Sequence, residues 1–582
     1  MSEGRIQWAV GLACVLLVVA PAIPHPTGDA LGLKFVDGYG TYWWFWYLGE
    51  VVSGRQDLVH TDLLFHPWGK EVFAHTGGNL LDALFAWPLR AVFGPTAGTN
   101  AWIAVVVATN FAAGCRLGAA FTRQPGWLSG VALALNPWVI QELSGGRPTQ
   151  AWIALPALAL AGVWSARTPI EAIGTGLAVG GSGWLYWYGG LTTGAVAVVA
   201  GLVRLALLPG RDRALKVLVG AGFVAAVVVA PGVWWMRGEI AGGEVPGLLS
   251  LSGTGLIAPL TLEKTAGGPA GIQALAPFLG RSGGLTETAG VLAFSAGQPA
   301  LSFASALGAA LAAVFAWRGG RRRELAGAAG VVVVGFLLAS GPAFVIGDNF
   351  VVNGPWVWVV SKVDVLRRWW WPSRAIVAVF LGFAALLPLV ARVRGLRWVM
   401  LAGMAIEGFR THQLPLPTWD ARVPAPLACL RDAPPGAVID LPFLSDQRNL
   451  WFQTEHHHPL LSGMLVLSPE FGSAPALALR EENSFLDLLL DLGERQYTRA
   501  LTYDPPDRDA LLAVGYRYVL VDQSRFWTTR TGGADGERKS MWPRLSRLLR
   551  PLLGEPAMDA DGVALFTLDR STLHCGEPTS MP

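Results

Sequence analysis

About eleven long apolar runs fill most of the first 409 residues and constrain the fold more than any other feature. Runs of roughly 20 apolar residues are long enough to cross a bilayer as α-helices. Charged residues make up only 15% of the chain, against roughly 25% in an average soluble protein. The sequence therefore predicts a polytopic α-helical membrane protein. The predicted transmembrane helices cover residues 6–24, 98–121, 127–143, 148–166, 169–187, 191–208, 214–236, 299–317, 325–346, 375–391 and 396–409.

Basic residues between these runs predict the orientation of the chain. With a cytoplasmic N-terminus, the cytoplasmic connections and the span ends beside them carry Arg116 and Arg123, then Arg167, then Arg204, Arg211, Arg213 and Lys216, then RGGRRR at 318–323 and RVRGLR at 392–397. Arginine and lysine concentrate in the cytoplasmic loops of membrane proteins. We therefore expect a multi-pass protein of the cytoplasmic (inner) membrane with its N-terminus in the cytoplasm.

This orientation predicts a transmembrane domain over 1–409 and places its large loops outside the cytoplasm. The first outer loop is 28–97, with interfacial helices that include an apolar but interrupted run at 79–93. The second outer loop covers 237–298, and a third, basic and aromatic, covers 347–374.

The tail at 410–582 has a different composition and predicts a small extracytoplasmic α/β domain. It is proline-rich at first, and the stretches GAVIDLPF, YRYVLVDQ and GVALFTLD read as buried strands. If this domain lies outside the cytoplasm, Cys429 and Cys575 can form one disulfide.

An aromatic segment, LKFVDGYGTYWWFWYLGEVVSGRQDLVHTDLLFHPWG, opens the first outer loop. Seven of the nine residues at 39–47 are aromatic, between Asp37 on one side and Asp62 on the other. We favour a helix lying at headgroup level as an anchor, where Trp and Tyr concentrate, over a platform that stacks on sugars. The chain can fold back to bring Asp37 near Asp62, although each acid can equally be a cap or turn residue.

A second cluster of charge lies in VDVLRRWWWPSR, before the tenth predicted span. Arg367, Arg368 and Arg374 stand on the face where positive charge is otherwise avoided. They either bind lipid phosphates in general or form a dedicated site for the phosphate of a lipid-linked substrate. Arginine suits the second role because its planar fork binds phosphate oxygens in pairs.

The stretch QTEHHHP is only a weak indication of a metal centre. Three consecutive histidines do not easily converge on one ion, so at most one or two of them, such as His456, face a site with Glu455 as a possible partner, and a loop or interface role is favoured. The net charge of +3 gives no indication of a nucleic-acid partner. Phosphate-binding loops and dinucleotide fingerprints do not appear in the sequence.

Several stretches together resemble the GT-C glycosyltransferase superfamily of bacterial membrane proteins, in a poorly characterised branch. They are the aromatic segment, LALNPWVIQELSGGRPTQ, LLASGPAF, LRRWWWPSRAIVAVF, and in the tail VIDLPF, WFQTEHHHPLLSGM and VGYRYVLVD. The resemblance implies a GT-C-like membrane domain. It also implies transfer of a sugar from a polyprenyl-phosphate-linked donor to a glycan, lipid or protein acceptor at the outer face of the membrane.

Carried onto this sequence, the resemblance makes Asp37 the candidate for the acid of the first outer loop. The family's acid-X-acid form is absent because Gly38 and Tyr39 follow, so a divalent metal is possible but not supported. Asp29 in TGDALG is a possible substitute, and Glu50 a third acid.

The chemistry expected of such a site is inverting transfer. Asp37 accepts the proton of the acceptor hydroxyl. The arginines at 367, 368 and 374 stabilise the departing phosphate. Asp62 is then an acceptor-binding or structural acid, since a nucleophilic role would imply retention. Two other functions stay open: a non-catalytic GT-C-like scaffold, and a lipid or polysaccharide transporter.

Overall fold

The structure is a computed structural model that describes residues 3–33, 36–72, 80–207, 210–242, 302–339, 343–346, 349–353, 372–410, 414–443, 447–463, 474–493, 502–529, 538–573 and 575. The chain divides into two compact units. One, here called the membrane unit, comprises Met1–Leu33 and Gly77–Trp419. The other, the α/β unit, comprises Lys34–Thr76 and Asp420–Pro582. The sequence predicted one boundary after residue 409, whereas the structure assigns residues 34–76, part of the predicted first outer loop, to the α/β unit.

The helices and strands of the described residues are numbered here in chain order. The helices are α1 Glu3–Val19, α2 Val36–Val52, α3 Leu80–Phe93, α4 Pro95–Thr122, α5 Trp127–Ala134, α6 Pro137–Ser144, α7 Pro148–Ala151, α8 Ala154–Ser165, α9 Pro169–Leu185, α10 Trp187–Leu207, α11 Arg211–Gly242, α12 Phe303–Arg318, α13 Arg322–Ala339, α14 Ile376–Leu386, α15 Arg394–Arg410, α16 Ala425–Arg431, α17 Arg448–His456, α18 Ala474–Glu482, α19 Ser484–Gly493, α20 Pro505–Val514 and α21 Trp542–Leu553. The strands are β1 Asp29–Leu31, β2 His60–Thr61, β3 Lys70–Glu71, β4 Ala343–Ile346, β5 Asn349–Asn353, β6 Thr418–Asp420, β7 Ala437–Leu441, β8 Tyr516–Asp522, β9 Trp527–Thr529, β10 Arg538–Ser540, β11 Met558–Ala560 and β12 Val563–Thr567.

The membrane unit contains helices able to cross a bilayer. Within the described residues, the helices that are long and apolar enough are Glu3–Ala22, Pro95–Thr122, Trp187–Leu207 and Arg211–Arg237. Two shorter apolar helices are Phe303–Arg318 and Ile376–Arg392. The chain is a mostly helical membrane protein, as predicted, while the number of spans stays a prediction.

The predicted span at 127–143 is broken into α5 and α6. Pro137 has no backbone N–H and cannot continue the hydrogen-bond ladder of α5. Asn136 caps the new helix instead, since its Oδ1 accepts a bond of 2.9 Å from the backbone N–H of Trp138. The helix is therefore interrupted inside an apolar region that the hydrophobic pattern alone predicts as one continuous helix.

The predicted span at 148–166 is broken as well, between α7 and α8. The backbone carbonyl of Ala151 at the break accepts a bond of 2.8 Å from Asn110 Nδ2 of α4. Next to it, the indole N–H of Trp152 donates to Thr109 Oγ1 at 2.9 Å. Irregular backbone at membrane depth requires such partners, because an apolar surrounding offers none. This hydrogen bond explains why a polar, neutral residue, Asn110, occurs inside an apolar helix.

Glycines bring α9 and α11 into close contact. A Cβ atom added to Gly176 would lie 2.5 Å from the backbone oxygen of Ala221, and one added to Gly180 would lie 2.7 Å from Val228 Cβ. Small residues at helix interfaces permit this close approach in membrane proteins. The pair holds the C-terminal end of α9 in place, where the site described below begins.

The α/β unit contains the predicted sheet. Its strand order is β11-β12-β8-β7, with β7 parallel to β8 and antiparallel pairing from β8 to β12 to β11. Ile439, Val519 and Phe566 of the sheet are fully buried against Phe485 of α19 and Leu549 of α21. This confirms a C-terminal sheet domain, built from the stretches that the sequence analysis read as strands.

The aromatic helix α2 belongs to the core of the α/β unit. Tyr39, Trp43 and Tyr47 are at most 1% exposed. The Trp43 indole N–H donates to Gln453 Oε1 at 2.6 Å, and Tyr39 stacks on Trp451 with ring centroids 6.3 Å apart. The interpretation of α2 as an anchor at headgroup level is therefore wrong. Its buried ring faces are equally unsuited to stacking on a sugar.

A disulfide joins Cys429 and Cys575 within the α/β unit, as the sequence analysis allowed. Their Cα atoms lie 5.1 Å apart, within the usual range for a disulfide. Cys14 and Cys115 are buried free thiols in the membrane unit.

Candidate functional site

The two acids predicted to be catalytic both lie in the α/β unit. Asp37 is half-buried in the first turn of α2, where Thr41 Oγ1 donates to its backbone carbonyl at 3.0 Å. Asp62 directly follows β2, and its side chain is 78% exposed, with Oδ1 3.3 Å from His60 Nε2. The catalytic roles of both acids stay predictions.

The secondary candidates in the α/β unit have structural partners. Glu50 accepts bonds of 2.6 and 2.7 Å from the Arg55 guanidinium and so fixes the turn after α2. Glu455 is half-buried in α17. His456 is 1% exposed, and its Nδ1 accepts a 3.0 Å bond from the backbone N–H of His458. Burial holds the pKa of His456 well below its usual value, so the ring is neutral.

No group of three or more His, Cys, Asp or Glu side chains able to hold a metal ion occurs within the described ranges.

The other predicted residues divide between the membrane unit and the segments that the structure does not describe. Asp29 lies in β1, where its backbone carbonyl accepts a bond of 2.8 Å from Asn100 Nδ2. Arg374 lies just before α14, with its guanidinium carbon 5.2 Å from the centroid of the Tyr186 ring. Arg367 and Arg368 fall outside the described residues.

Arg374 lines a narrow cleft inside the membrane unit. The empty volume of the cleft is about 580 Å³ with its open mouth included. Its wall combines apolar surface, from residues such as Val377 and Leu381, with a few polar side chains. The polar residues that line it include Trp138, Thr149, Gln150, Tyr186 and Arg374. Mostly apolar walls with a small number of convergent polar groups are typical of ligand sites.

Helix ends build the polar part of this cleft. Trp138 lies in α6, Gln150 in α7, Tyr186 between α9 and α10, and Arg374 before α14. Each lies near the end of a predicted span that the arrangement of basic loops assigns to the outer side. Broken helices such as α6 and α7 occur in membrane proteins where they line a cavity.

Three polar atoms of the cleft residues are buried without a hydrogen-bond partner among the described residues. They are Trp138 Nε1, Gln150 Oε1 and Tyr186 Oη. Most buried polar groups in proteins have a partner, so each of these atoms calls for an explanation such as a bound ligand or a water molecule.

Two buried acids form hydrogen bonds that hold residues of the cleft wall and the adjoining turn in place. Asp82 of α3 is fully buried and accepts hydrogen bonds from Thr149 Oγ1 and, at 3.0 Å, from the backbone N–H of Ala83. Glu142 of α6 is 3% exposed and pairs with Arg147 just before α7. The Glu142–Arg147 pair fixes the turn from α6 to α7, and the bond to Asp82 fixes Thr149 of α7.

Sequence reasoning missed the cleft residues other than Arg374. A signal was present, because LALNPWVIQELSGGRPTQ carries Trp138, Thr149 and Gln150 and was among the family-like stretches. Nothing in that stretch shows that its polar residues meet Tyr186 or Arg374, which are 36 and 224 positions beyond Gln150.

Comparisons with known proteins find similarity by structure. No family model matches the sequence, and no curated protein matches it. The chain resembles a mutant of the arabinofuranosyltransferase AftD from Mycobacteria with a TM-score of 0.54 and 16% identity, covering 98% of this chain and 42% of that one. This chain therefore spans about two fifths of the length of AftD.

Two further structures are similar at lower scores. The oligosaccharyltransferase AglB from Archaeoglobus fulgidus, in complex with an inhibitory peptide and a dolichol-phosphate, has a TM-score of 0.48 and 11% identity over 90% of this chain and 69% of that one. ArnT from Cupriavidus metallidurans, bound to undecaprenyl phosphate, has a TM-score of 0.41 and 14% identity over 99% of this chain and all (100%) of that one.

Proposed function

From the GT-C fold that this chain shares with the arabinofuranosyltransferase AftD, we propose that it is a membrane glycosyltransferase. It transfers a sugar from a polyprenyl-phosphate-linked donor to a glycan, lipid or protein acceptor at the outer face of the cytoplasmic membrane. The observation that carries the proposal is the cleft of the membrane unit, where Arg374 and polar side chains meet apolar walls. A lipid-linked sugar phosphate has the matching parts: a charged phosphate, a polar sugar and a hydrocarbon chain.

The proposed donor site uses arginine as the phosphate ligand. Arg374 is held against the face of Tyr186, which orients the guanidinium plane. As the sugar leaves, negative charge grows on the phosphate, and a fixed cation stabilises that charge more in the transition state than in the ground state. Arg367 and Arg368 are proposed as further ligands of the same phosphate.

The proposed reaction is a single displacement with inversion. Asp37 accepts the proton of the acceptor hydroxyl, whose oxygen attacks the anomeric carbon. The bond between that carbon and the phosphate oxygen breaks, and polyprenyl phosphate leaves with the electron pair. Asp62 is the proposed acceptor-binding acid, and Asp29 is the alternative base.

The disulfide gives independent support for the proposed location of the α/β unit. Disulfides form and persist in oxidising compartments and are rare in the cytoplasm. The Cys429–Cys575 bond therefore favours an extracytoplasmic α/β unit.

The test is sugar transfer in liposomes that contain the purified full chain. The donors are undecaprenyl phosphodiesters of a hexose and of a pentose, and the acceptors come from the cell envelope. We expect Asp37→Asn to lower the rate at least about a hundredfold, since general base catalysis contributes 10²–10⁴. Asp509→Asn, which removes an exposed carboxylate of the same unit, is the matched control and should retain full activity. An unchanged rate with Asp37→Asn, at equal expression, eliminates Asp37 as the base.

A non-catalytic scaffold is the second candidate, because the acid-X-acid form is absent after Asp37. It predicts that Asp37→Asn leaves cell-surface glycans unchanged, whereas removal of 410–582 alters them. The transporter is the third candidate and predicts that the wild-type protein flips the lipid in liposomes without transferring its sugar.

A further inference from the structure

Three side chains that line the cleft carry a buried polar atom without a partner among the described residues, and these atoms define the hydrogen-bonding character of a ligand that reaches them. The indole Nε1 of Trp138 can only donate, Gln150 Oε1 can only accept, and Tyr186 Oη can do either. A ligand that satisfies all three must therefore both donate and accept hydrogen bonds. A hydrocarbon chain can do neither, and an ionised phosphodiester can only accept, which leaves Gln150 unsatisfied.

Hydroxyl groups satisfy this requirement. A sugar hydroxyl donates one bond and accepts others, so neighbouring hydroxyls of one ring can donate to Gln150 and accept from Trp138. A site built to hydrogen-bond such hydroxyls rejects analogues without them, because the buried partners are then left unpaired. Trp138 and Tyr186 also bring aromatic surface, which suits the apolar faces of a sugar ring.

The positive charge of Arg374 indicates that the ligand of the cleft also carries an anionic group. The Arg374 guanidinium carbon lies 5.2 Å from the centroid of the Tyr186 ring, so a cation stands over a side chain that carries one of the three unsatisfied atoms. The apolar wall continues from there along Val377 and Leu381 of α14. Polar groups that can bind hydroxyls, a cation that can bind phosphate and an apolar wall therefore occur together in a single cleft.

We propose that this cleft selects the sugar of the donor lipid, with Gln150 accepting from its hydroxyls and with Trp138 and Tyr186 hydrogen-bonding to them. The inference rests on the proposed function for the identity of the ligand as a lipid-linked sugar phosphate. It goes further by naming the residues that distinguish the sugar from the lipid phosphate. It also makes Thr149 a positioning residue for Gln150, since Asp82 fixes the Thr149 hydroxyl.

The experiment compares two lipids that differ only in the sugar. One is an undecaprenyl glycosyl phosphate, tested with a hexose and with a pentose, and the other is undecaprenyl methyl phosphate. Both carry one negative charge and the same chain, so Arg374 and the apolar wall contribute equally to their binding. Affinities are measured for the full chain in nanodiscs. We expect the wild-type protein to bind at least one glycosyl lipid about tenfold or more tightly than the methyl lipid.

Two near-isosteric variants test the named residues. Gln150→Met and Tyr186→Phe each remove hydrogen-bonding capacity and keep most of the side-chain volume. Each should reduce the preference for the glycosyl lipid about threefold to tenfold and leave the affinity for the methyl lipid unchanged. Leu381→Ala is the matched control and should lower the affinity for both lipids by the same factor. Arg374→Gln should also lower the affinity for both lipids, because both carry the phosphate.

Equal affinity of the wild-type protein for the glycosyl and methyl lipids overturns the inference, since water would then be the partner of the three atoms. An unchanged preference in both Gln150→Met and Tyr186→Phe overturns it as well. Failure of the proposed function gives a different result, because binding does not require transfer. A wild-type protein that prefers the glycosyl lipid and transfers nothing contradicts the proposed function alone.

Discussion

Trp43 and Gln453 lie 410 positions apart in the sequence, and the indole N–H of one donates to the side-chain oxygen of the other at 2.6 Å. The amide nitrogen of Gln453 donates in turn to the backbone carbonyls of Leu63, at 2.7 Å, and His458, at 3.0 Å. One fully buried side chain therefore ties α2 and the segment after β2 to α17. This relationship explains why residues 34–76 belong to the α/β unit.

We predict that Gln453→Met destabilises the α/β unit. The substitution keeps the volume but leaves the Trp43 indole N–H and the His458 carbonyl without the partner that Gln453 provides, while the Leu63 carbonyl keeps a 2.9 Å bond from the backbone N–H of Leu460. Each unsatisfied group costs about 1–3 kcal/mol, so a loss of roughly 2 kcal/mol or more in the free energy of unfolding is expected. Thermal unfolding and limited proteolysis of the full chain in detergent measure it. Trp46→Phe is the control, because Trp46 is only half-buried on the same helix; equal stability of Gln453→Met and wild type would contradict the role given to Gln453.

A second prediction concerns the pH dependence of stability through Asp440 of β7. Burial raises the pKa of this carboxyl to about 6, although Ser462 Oγ donates to it at 2.7 Å. The ordinary value, about 4, applies in the unfolded chain. Between pH 4 and 6 the folded state therefore binds more protons than the unfolded state, and stability falls as the pH rises through this window. The expected fall is about 3 kcal/mol, since one pKa unit corresponds to roughly 1.4 kcal/mol.

Asp440→Asn should remove this slope, because the amide does not titrate. Unfolding midpoints of the α/β unit between pH 4 and pH 7 give the measurement, with Asp62→Asn as an exposed control that keeps the slope. A slope that persists unchanged in Asp440→Asn would assign the titration to another group.

A third prediction follows from the disulfide. Cys429 and Cys575 enclose a loop with a sequence separation of 146. Closing a loop of that length restricts the unfolded chain and contributes about 3–5 kcal/mol to stability. Replacing both cysteines by serine should lower the unfolding temperature by several degrees.

Thiol labelling tests whether the bond forms. In the wild-type chain, denatured without reductant, two thiols (Cys14 and Cys115) should react with a maleimide, and four thiols should react after reduction. Four reactive thiols before reduction would show that the bond does not form.

A fourth prediction concerns orientation, on which the proposed function depends. A reporter inserted near Asp57 should read as extracytoplasmic, and one in the basic loop at 318–323 as cytoplasmic, because positive loops are retained inside. Paired alkaline phosphatase and fluorescent protein fusions make the comparison. Cytoplasmic fluorescence from the fusion near Asp57 would invert the scheme and place the proposed acids on the wrong side for a lipid-linked donor.

Much of the candidate site could not be read from the sequence. Arg374 stood out because arginine on the outer side breaks the distribution of positive charge, so a local pattern was enough. Trp138, Gln150 and Tyr186 carry no such signal, since their importance comes from hydrogen bonds that the fold leaves unmade. Glu50 pairs with Arg55, only five positions away, and its role as a possible secondary acid stays a prediction.

The sequence by itself determined the properties that depend on near neighbours. Apolar length predicted a helical membrane protein, and short apolar stretches such as VIDL and YRYVLVD predicted the strands β7 and β8. The tertiary structure alone decided what the aromatic face of α2 packs against. Lipid headgroups and a protein core both favour burial of Trp and Tyr, so composition could not distinguish a membrane surface from Gln453 and Trp451. It likewise decided which helix ends meet at the cleft, because that meeting depends on packing between segments far apart in the chain.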